Sequence, residues 1–109
     1  MRRTVRLTPQ FVRKSSAAAV RWASFENGRL PADWGDRLLD RVATLAEFAE
    51  GYPLTDFGEL ITVQVRELAF GFSKRPTHRV FFVVEDDLIT VLDIRHVAER
   101  PPVLSQLFG

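Results

Sequence analysis

Both histidines of the chain and six of its fifteen Lys and Arg residues fall in one third of its length. Arg66, Lys74, Arg75, His78, Arg79, Arg95, His96 and Arg100 all fall between Arg66 and Arg100. Arginine offers a planar, two-pronged charged clamp for phosphate oxygens. Histidine, with an ordinary pKa of about 6.5, can take or give a proton near neutrality. Together these residue types suit an anionic partner, and a phosphodiester in particular. The acids Glu85, Asp86 and Asp87 are grouped apart from them. A net charge of +1 therefore hides a local basic patch. The alternative is ordinary solvated surface charge.

Three strands must position these groups. Ile61 to Arg100 is rich in β-branched and aromatic residues, with turn-type residues at its breaks. Glu85-Asp86-Asp87-Leu88 reads as a tight hairpin with Asp86 and Asp87 in the turn, since Asp tolerates a left-handed backbone. Pairing Glu85 with Leu88 sets Val83 opposite Thr90, Phe81 opposite Leu92 and Arg79 opposite Ile94. Strict alternation then puts Arg79, Phe81, Val83, Thr90, Leu92, Ile94 and His96 on one face. His78, Val80, Phe82, Val84, Ile89, Val91, Asp93 and Arg95 take the other. On this register Arg79 and His96 are neighbours that one phosphate could touch, and His78 faces away from them. Both faces are apolar in the middle, so both require cover. The chain's helices supply one, and its C-terminal tail or a partner the other.

Before the strands, Arg3-Thr4-Val5-Arg6-Leu7 alternates as a short edge strand. Thr8-Pro9 is a helix start, a hydroxyl cap followed by proline at the first helical position. The helix is expected from about Pro9 to Glu26, stopping at Asn27-Gly28, with Phe11, Ser15, Ala18, Trp22 and Phe25 along one face. Small residues in the middle of that stripe imply close approach to another helix. Pro31 to Asp33 opens a second helix, with Asp33 as its cap and Trp34, Leu38, Val42, Leu45 and Ala49 inward. It ends near Glu50-Gly51. The short connection makes the two an antiparallel hairpin. The tail carries Val103, Leu104, Leu107 and Phe108 at helical spacing. The order strand, helix, helix, strand, strand, strand gives an α+β class, a helical hairpin packed on a small, mostly antiparallel sheet.

At 109 residues the chain, 1–109, is expected to be one domain with a real core. A hydrophobic content of 46% with 27% charged residues is ordinary for a soluble globular protein, and no apolar run approaches the length that crosses a bilayer. With no Cys, disulfides and thiolate chemistry are excluded; with only two His a structural zinc site is not expected, and no metal or other cofactor is called for. A cytoplasmic location is the simplest reading.

The segments Arg66-Glu67-Leu68-Ala69-Phe70, Lys74-Arg75-Pro76-Thr77-His78-Arg79-Val80-Phe81-Phe82 and Val91-Leu92-Asp93-Ile94-Arg95-His96 resemble toxins of the RelE/ParE superfamily, the plasmid stabilisation proteins. The ordered combination carries the resemblance, from the second helix to the last strand. It implies a β-α-α-β-β-β fold with a helical hairpin against a curved sheet. It also implies the toxin component of a type II toxin–antitoxin system, neutralised by a cognate antitoxin with which it forms a heterotetramer. RelE-like members are metal-independent endoribonucleases that cut mRNA on the ribosome. ParE-like members are non-enzymatic inhibitors of DNA gyrase. A decayed toxin that only binds antitoxin is a third reading.

On the ribonuclease reading the resemblance makes Arg79 the contact to the scissile phosphate and His96 the proton-transfer group. Arg66, Lys74, Arg75, Arg95 and Arg100 are then substrate-binding residues. The sequence departs from the nuclease pattern after the last strand, where Val97-Ala98-Glu99-Arg100 brings an acid and no Tyr. Against these roles stand an ion pair of Arg79 with Glu67 or Asp93, and a His96 that merely hydrogen-bonds backbone at a strand end.

Overall fold

The computed structural model describes residues 2–25, 34–55, 64–71, 74–100, 102 and 106–107. The elements are β1 (Thr4–Leu7), α1 (Pro9–Phe25), α2 (Trp34–Ala43), α3 (Leu45–Phe48), a 3₁₀ turn (Ala49–Gly51), β2 (Val65–Phe70), β3 (His78–Glu85) and β4 (Leu88–His96). The strands form one mixed sheet in the order β1-β4-β3-β2. β1 runs parallel to β4, and the other two pairs are antiparallel. The class is α+β, with helices against one face of a four-stranded sheet. No helix among the described residues is long and apolar enough to cross a membrane.

Thr8 joins β1 to α1 and is bonded in both directions. Its Oγ1 accepts the Phe11 N–H at 3.3 Å, capping the helix, and donates to the Val91 carbonyl at 2.9 Å. The capping residue thereby ties the first turn of α1 to β4. Phe11 is fully buried, while Ala18 and Ala19 pack against the core. A Cβ at Gly35 would stand 3.9 Å from Ala19 Cβ, so the small residues do let the two helices approach. The expected stop at Asn27-Gly28, the cap at Asp33 and the strand start at Ile61 lie outside the described residues, as do the side chains of Trp22 and Phe25.

The expected second helix is divided. The Thr44 hydroxyl donates to the Arg41 carbonyl at 2.5 Å and its N–H reaches the same oxygen at 3.2 Å, so the backbone turns tightly there. The inward stripe survives the break, because Trp34, Leu38, Val42, Leu45 and Ala49 are all buried. They meet Leu68, Phe70, Val80, Phe82, Ile89, Val91 and Ile94 from the sheet. A fully buried Leu or Phe of this kind contributes about 2–3 kcal/mol by removal from water.

The hairpin turn forms as its residues imply, with Glu85 paired to Leu88, Val83 to Thr90 and Asp86 at φ 51°. Beyond Phe82 the simple alternation fails. Phe82 pairs with Val91 but Phe81 pairs with Asp93, which leaves Leu92 as an extra residue in β4. The expected pairs Phe81–Leu92 and Arg79–Ile94 are therefore replaced by Phe81–Asp93 and Arg79–Arg95. Everything in β4 after Leu92 changes face. Ile94 and His96 turn to the helix side, opposite Val80 and His78, while Asp93 and Arg95 turn to the other.

The second face has its own apolar cluster of Val65, Phe81, Val83 and Leu92, and Leu107 of the tail packs into it. The tail thus supplies cover for this face. Val103, Leu104 and Phe108 lie outside the described residues.

Candidate functional site

The sheet is electrically polar along its strands. At the hairpin end stand Glu85, Asp86 and Asp87, and Arg3 ties them to the helical layer by donating to the Asp86 carbonyl (2.9 Å) and to the Glu50 carboxylate. An open cleft of about 410 Å³ lies there, lined by Arg3, Glu47, Phe48, Glu50 and Gly51. The opposite end, where β3 begins and β4 finishes, holds both histidines and the Lys74–Thr77 loop.

At that end His78 and His96 are directly paired across the strands, with ring centroids 5.3 Å apart and planes at 86°. His78 is buried at 3% exposure, and its ring also meets Trp34 edge-on at 5.2 Å. Its Nδ1 is 2.8 Å from the Thr77 hydroxyl. Burial in this apolar niche lowers the His78 pKa to about 4, with further lowering by His96 and a partial opposing pull from Glu99. His78 is therefore neutral at pH 7.

His96 is half-buried and held by the turn that follows it. Ala98 N–H donates to His96 Nδ1 at 3.0 Å, which requires a neutral ring with its proton on Nε2. The His96 N–H donates to the Glu99 carboxylate at 3.0 Å, and the Glu99 N–H returns to the His96 carbonyl at 2.9 Å. Val97 N–H reaches the Thr77 carbonyl at 2.9 Å, which binds this turn to the start of β3. The strand-end reading of His96, a ring bonded to backbone, describes what is seen. Thr77, Glu99 and Trp34 were not among the expected site residues, although the spacing His96-x-x-Glu99 is that of reciprocal side-chain capping.

Arg79 belongs to the opposite face. Its Nε donates to Glu67 Oε2 at 2.5 Å, and its guanidinium carbon lies 5.2 Å from the centroid of the Phe81 ring. Arg79 and His96 do not share a face, which corrects the expected pair. Arg95, across from Arg79, is engaged as well. It donates to Asp93 Oδ2 at 3.2 Å, to the Arg100 carbonyl at 3.2 Å and to Gln106 Oε1 at 2.9 Å. Asp93 is fully buried and also receives Lys14 Nζ at 2.5 Å and the Ile94 N–H at 2.8 Å. Asp93 is the hub of this network, and the bulge at Leu92 brings it to that face.

Arg66 lies on the helix side of β2, paired with Phe82. Its guanidinium donates to the Tyr52 carbonyl at 2.7 Å, satisfying backbone at the end of the helical segment. It stands on the other face from Arg79. Lys74 and Arg75 are exposed in the loop before β3, and Arg100 is exposed after β4.

The expected basic set is thus dispersed. Arg79 and Arg95 hold the second face together, and Arg66 seals a helix end. Lys74, Arg75, His96 and Arg100 remain at one end of the sheet with His78 behind them. Chemically, that end can bind an anion and offer imidazole for proton transfer. Among the described residues no three His, Asp or Glu side chains gather as metal ligands. No protein-family model and no curated protein matches the chain.

Proposed function

We propose that this chain is the toxin of a type II toxin–antitoxin pair of the RelE/ParE kind, acting on ribosome-bound mRNA as a metal-independent endoribonuclease. The observation that carries the reading is the histidine pair at the base of the Lys74–Thr77 loop. The α+β class and the run of helices between the first strand and the last three support the reading. In this reading His96 exchanges the proton with the ribose hydroxyl or the leaving oxygen, while Lys74, Arg75 and Arg100 hold phosphates. His78 stays neutral and packs behind His96. Arg79 has a structural part through Glu67, and the cleavage must do without it.

A second reading is favoured by the same Arg79–Glu67 pair, since it withdraws the expected phosphate clamp from the site. It is a non-enzymatic inhibitor that binds a large target such as DNA gyrase.

The test is induced expression in a bacterial host, with new 5′ ends mapped on ribosome-bound mRNA within minutes. Cuts at a fixed position in codons, lost in His96→Ala, support the ribonuclease. Arrest without cuts, accompanied by a DNA-damage response, supports the inhibitor. No arrest from the intact chain overturns the toxin reading.

A further inference from the structure

The outward side of α1 is unlike an ordinary solvated helix face. Val12, Arg13, Ser16, Ala17, Val20 and Arg21 are all exposed and follow one another at helical spacing. Val12 is 46% exposed and Val20 69%. A surface helix normally fills such positions with charged residues of both signs, whereas α1 contains Arg13, Lys14 and Arg21 and no acid in its 17 residues. Lys14 is turned inward to Asp93, so Arg13 and Arg21 carry the charge of the outer side. The surface is an apolar strip with cations along one flank.

We infer that this face of α1 is a docking surface for an acidic amphipathic peptide segment, whose apolar residues cover Val12, Ala17 and Val20 and whose carboxylates meet Arg13 and Arg21. Charge complementarity fixes the sign of the partner, because the helix has no carboxylate of its own to answer its cations. A helix or extended segment of a protein fits better than a nucleic acid. Val12 and Val20 stand at the two ends of their row with small residues between them, whereas single-stranded RNA or DNA is held by aromatic platforms and denser cation arrays. The inference does not rest on the ribonuclease reading. Under the toxin reading the occupant is a segment of the antitoxin, bound away from His96.

The probe is a synthetic helical peptide of about 20 residues, long enough to hold a helix, with Leu at helical spacing and Glu on both flanks. It is titrated into the full ¹⁵N-labelled chain. The expected result is amide shifts centred on Val12, Arg13, Ser16, Ala17 and Val20 that weaken as salt is raised. The paired substitutions Arg13→Glu and Val20→Glu should weaken binding about tenfold or more. Both positions are exposed, so the far-ultraviolet circular dichroism of this variant should match the parent. An unchanged affinity in the variant overturns the inference. Absence of shifts does so too, as do shifts confined to the Lys74–Thr77 loop, or equal binding by a control peptide with Lys in place of Glu. A short oligouridine that displaces the peptide from α1 would reassign the face to nucleic acid. Mapping mRNA cuts keeps the two readings apart, because the paired variant should still cut and His96→Ala should still bind the peptide.

Discussion

Arg79 and His96 lie on opposite faces of the sheet although each stands an even number of positions from the Glu85–Leu88 pair that closes the hairpin. Leu92 is the extra residue that divides them, since Phe82 pairs with Val91 and Phe81 with Asp93. The two side chains should therefore respond independently to substitution. On the proposed ribonuclease reading, His96→Ala is expected to reduce mRNA cutting about a hundredfold or more, the scale of a lost proton-transfer group. Arg79→Ala should keep most of the cutting and lose stability instead. The Arg79–Glu67 pair is about a quarter exposed on each side, so its coupling should be only about 1 kcal/mol. A double-mutant cycle with Glu67→Ala in urea measures it. Equal loss of cutting in both single variants would return Arg79 to the site.

Asp93 is the more costly residue of that face. It is fully buried and receives Lys14, Arg95 and the Ile94 N–H, so its charge is answered on every side. Asp93→Ala removes the carboxylate that answers two part-buried cations, leaving Arg95 only the neutral oxygens of Arg100 and Gln106. A loss of about 3–5 kcal/mol is expected, the usual cost of breaking a buried pair from one side. Urea unfolding checks it, and a loss below 1 kcal/mol, well under that range, would show the network to be solvated.

Thr8→Ala removes a helix cap and the hydroxyl bond to Val91 in one change. About 1–2 kcal/mol should be lost, and Thr8→Ser should recover most of it because the hydroxyl is kept. Similar stabilities for Ala and Ser would show that the threonine methyl, rather than its oxygen, matters.

The α+β order and the helical layer were legible in the sequence for simple reasons. Trp34, Leu38, Val42, Leu45 and Ala49 repeat at helical spacing, and their burial needs no knowledge of the rest. Thr8-Pro9 and Asp86-Asp87 are local signals, because the cap bond from the Phe11 N–H and the left-handed backbone of Asp86 are set by near neighbours. The bulge gave no such signal. Phe81-Phe82-Val83-Val84 and Ile89 to Leu92 are apolar on both faces, so nothing in the pattern penalises a shift of one position. The site was misread for the same reason. Whether Arg79 meets His96 or Glu67 depends on residues far apart in sequence, and only the register decides between them. The ion pair with Glu67 was visible as an alternative because an acid on an adjacent strand is a natural partner, but the sequence could not rank it.

Stability should fall as the pH is lowered through the histidine range. His78 has an ordinary pKa of 6.5 when unfolded and about 4 when folded. Its contribution is fully present above pH 6.5, where both states are neutral. Between 6.5 and about 4 the unfolded chain binds a proton that the folded chain refuses, so stability declines across that window. The loss levels off at lower pH and totals on the order of 3 kcal/mol. His96 faces His78 directly, with ring centroids 5.3 Å apart. Glu99 opposes the lowering, so Glu99→Gln should deepen the acid loss. Unfolding in urea from pH 7.5 to 4 measures the slope, and His78→Phe should flatten it. A slope unchanged by that substitution would move the effect to other groups.

Gly71 offers the sharpest test of the Lys74–Thr77 loop. A Cβ there would meet Pro76 Cα at 2.9 Å, Thr77 N at 3.0 Å and the Arg75 carbonyl at 3.2 Å, all of them main-chain positions that a rotamer change cannot relieve. Thr77 N–H bonds the Phe70 carbonyl at 2.9 Å, and Thr77 in turn meets His78 and Val97, so a displaced loop is felt at the histidine pair. Gly71→Ala should therefore shift the amide resonances of Thr77, His78 and His96 while leaving those of Thr8 and Phe11 in place. Stability should fall by about 1–3 kcal/mol, as overpacking usually costs, and on the proposed ribonuclease reading RNA binding and mRNA cutting should fall about tenfold or more. Lost cutting with unmoved resonances at His78 and His96 would show that the loop acts on RNA by itself. Full cutting with the resonances displaced would take the histidine end out of the reaction.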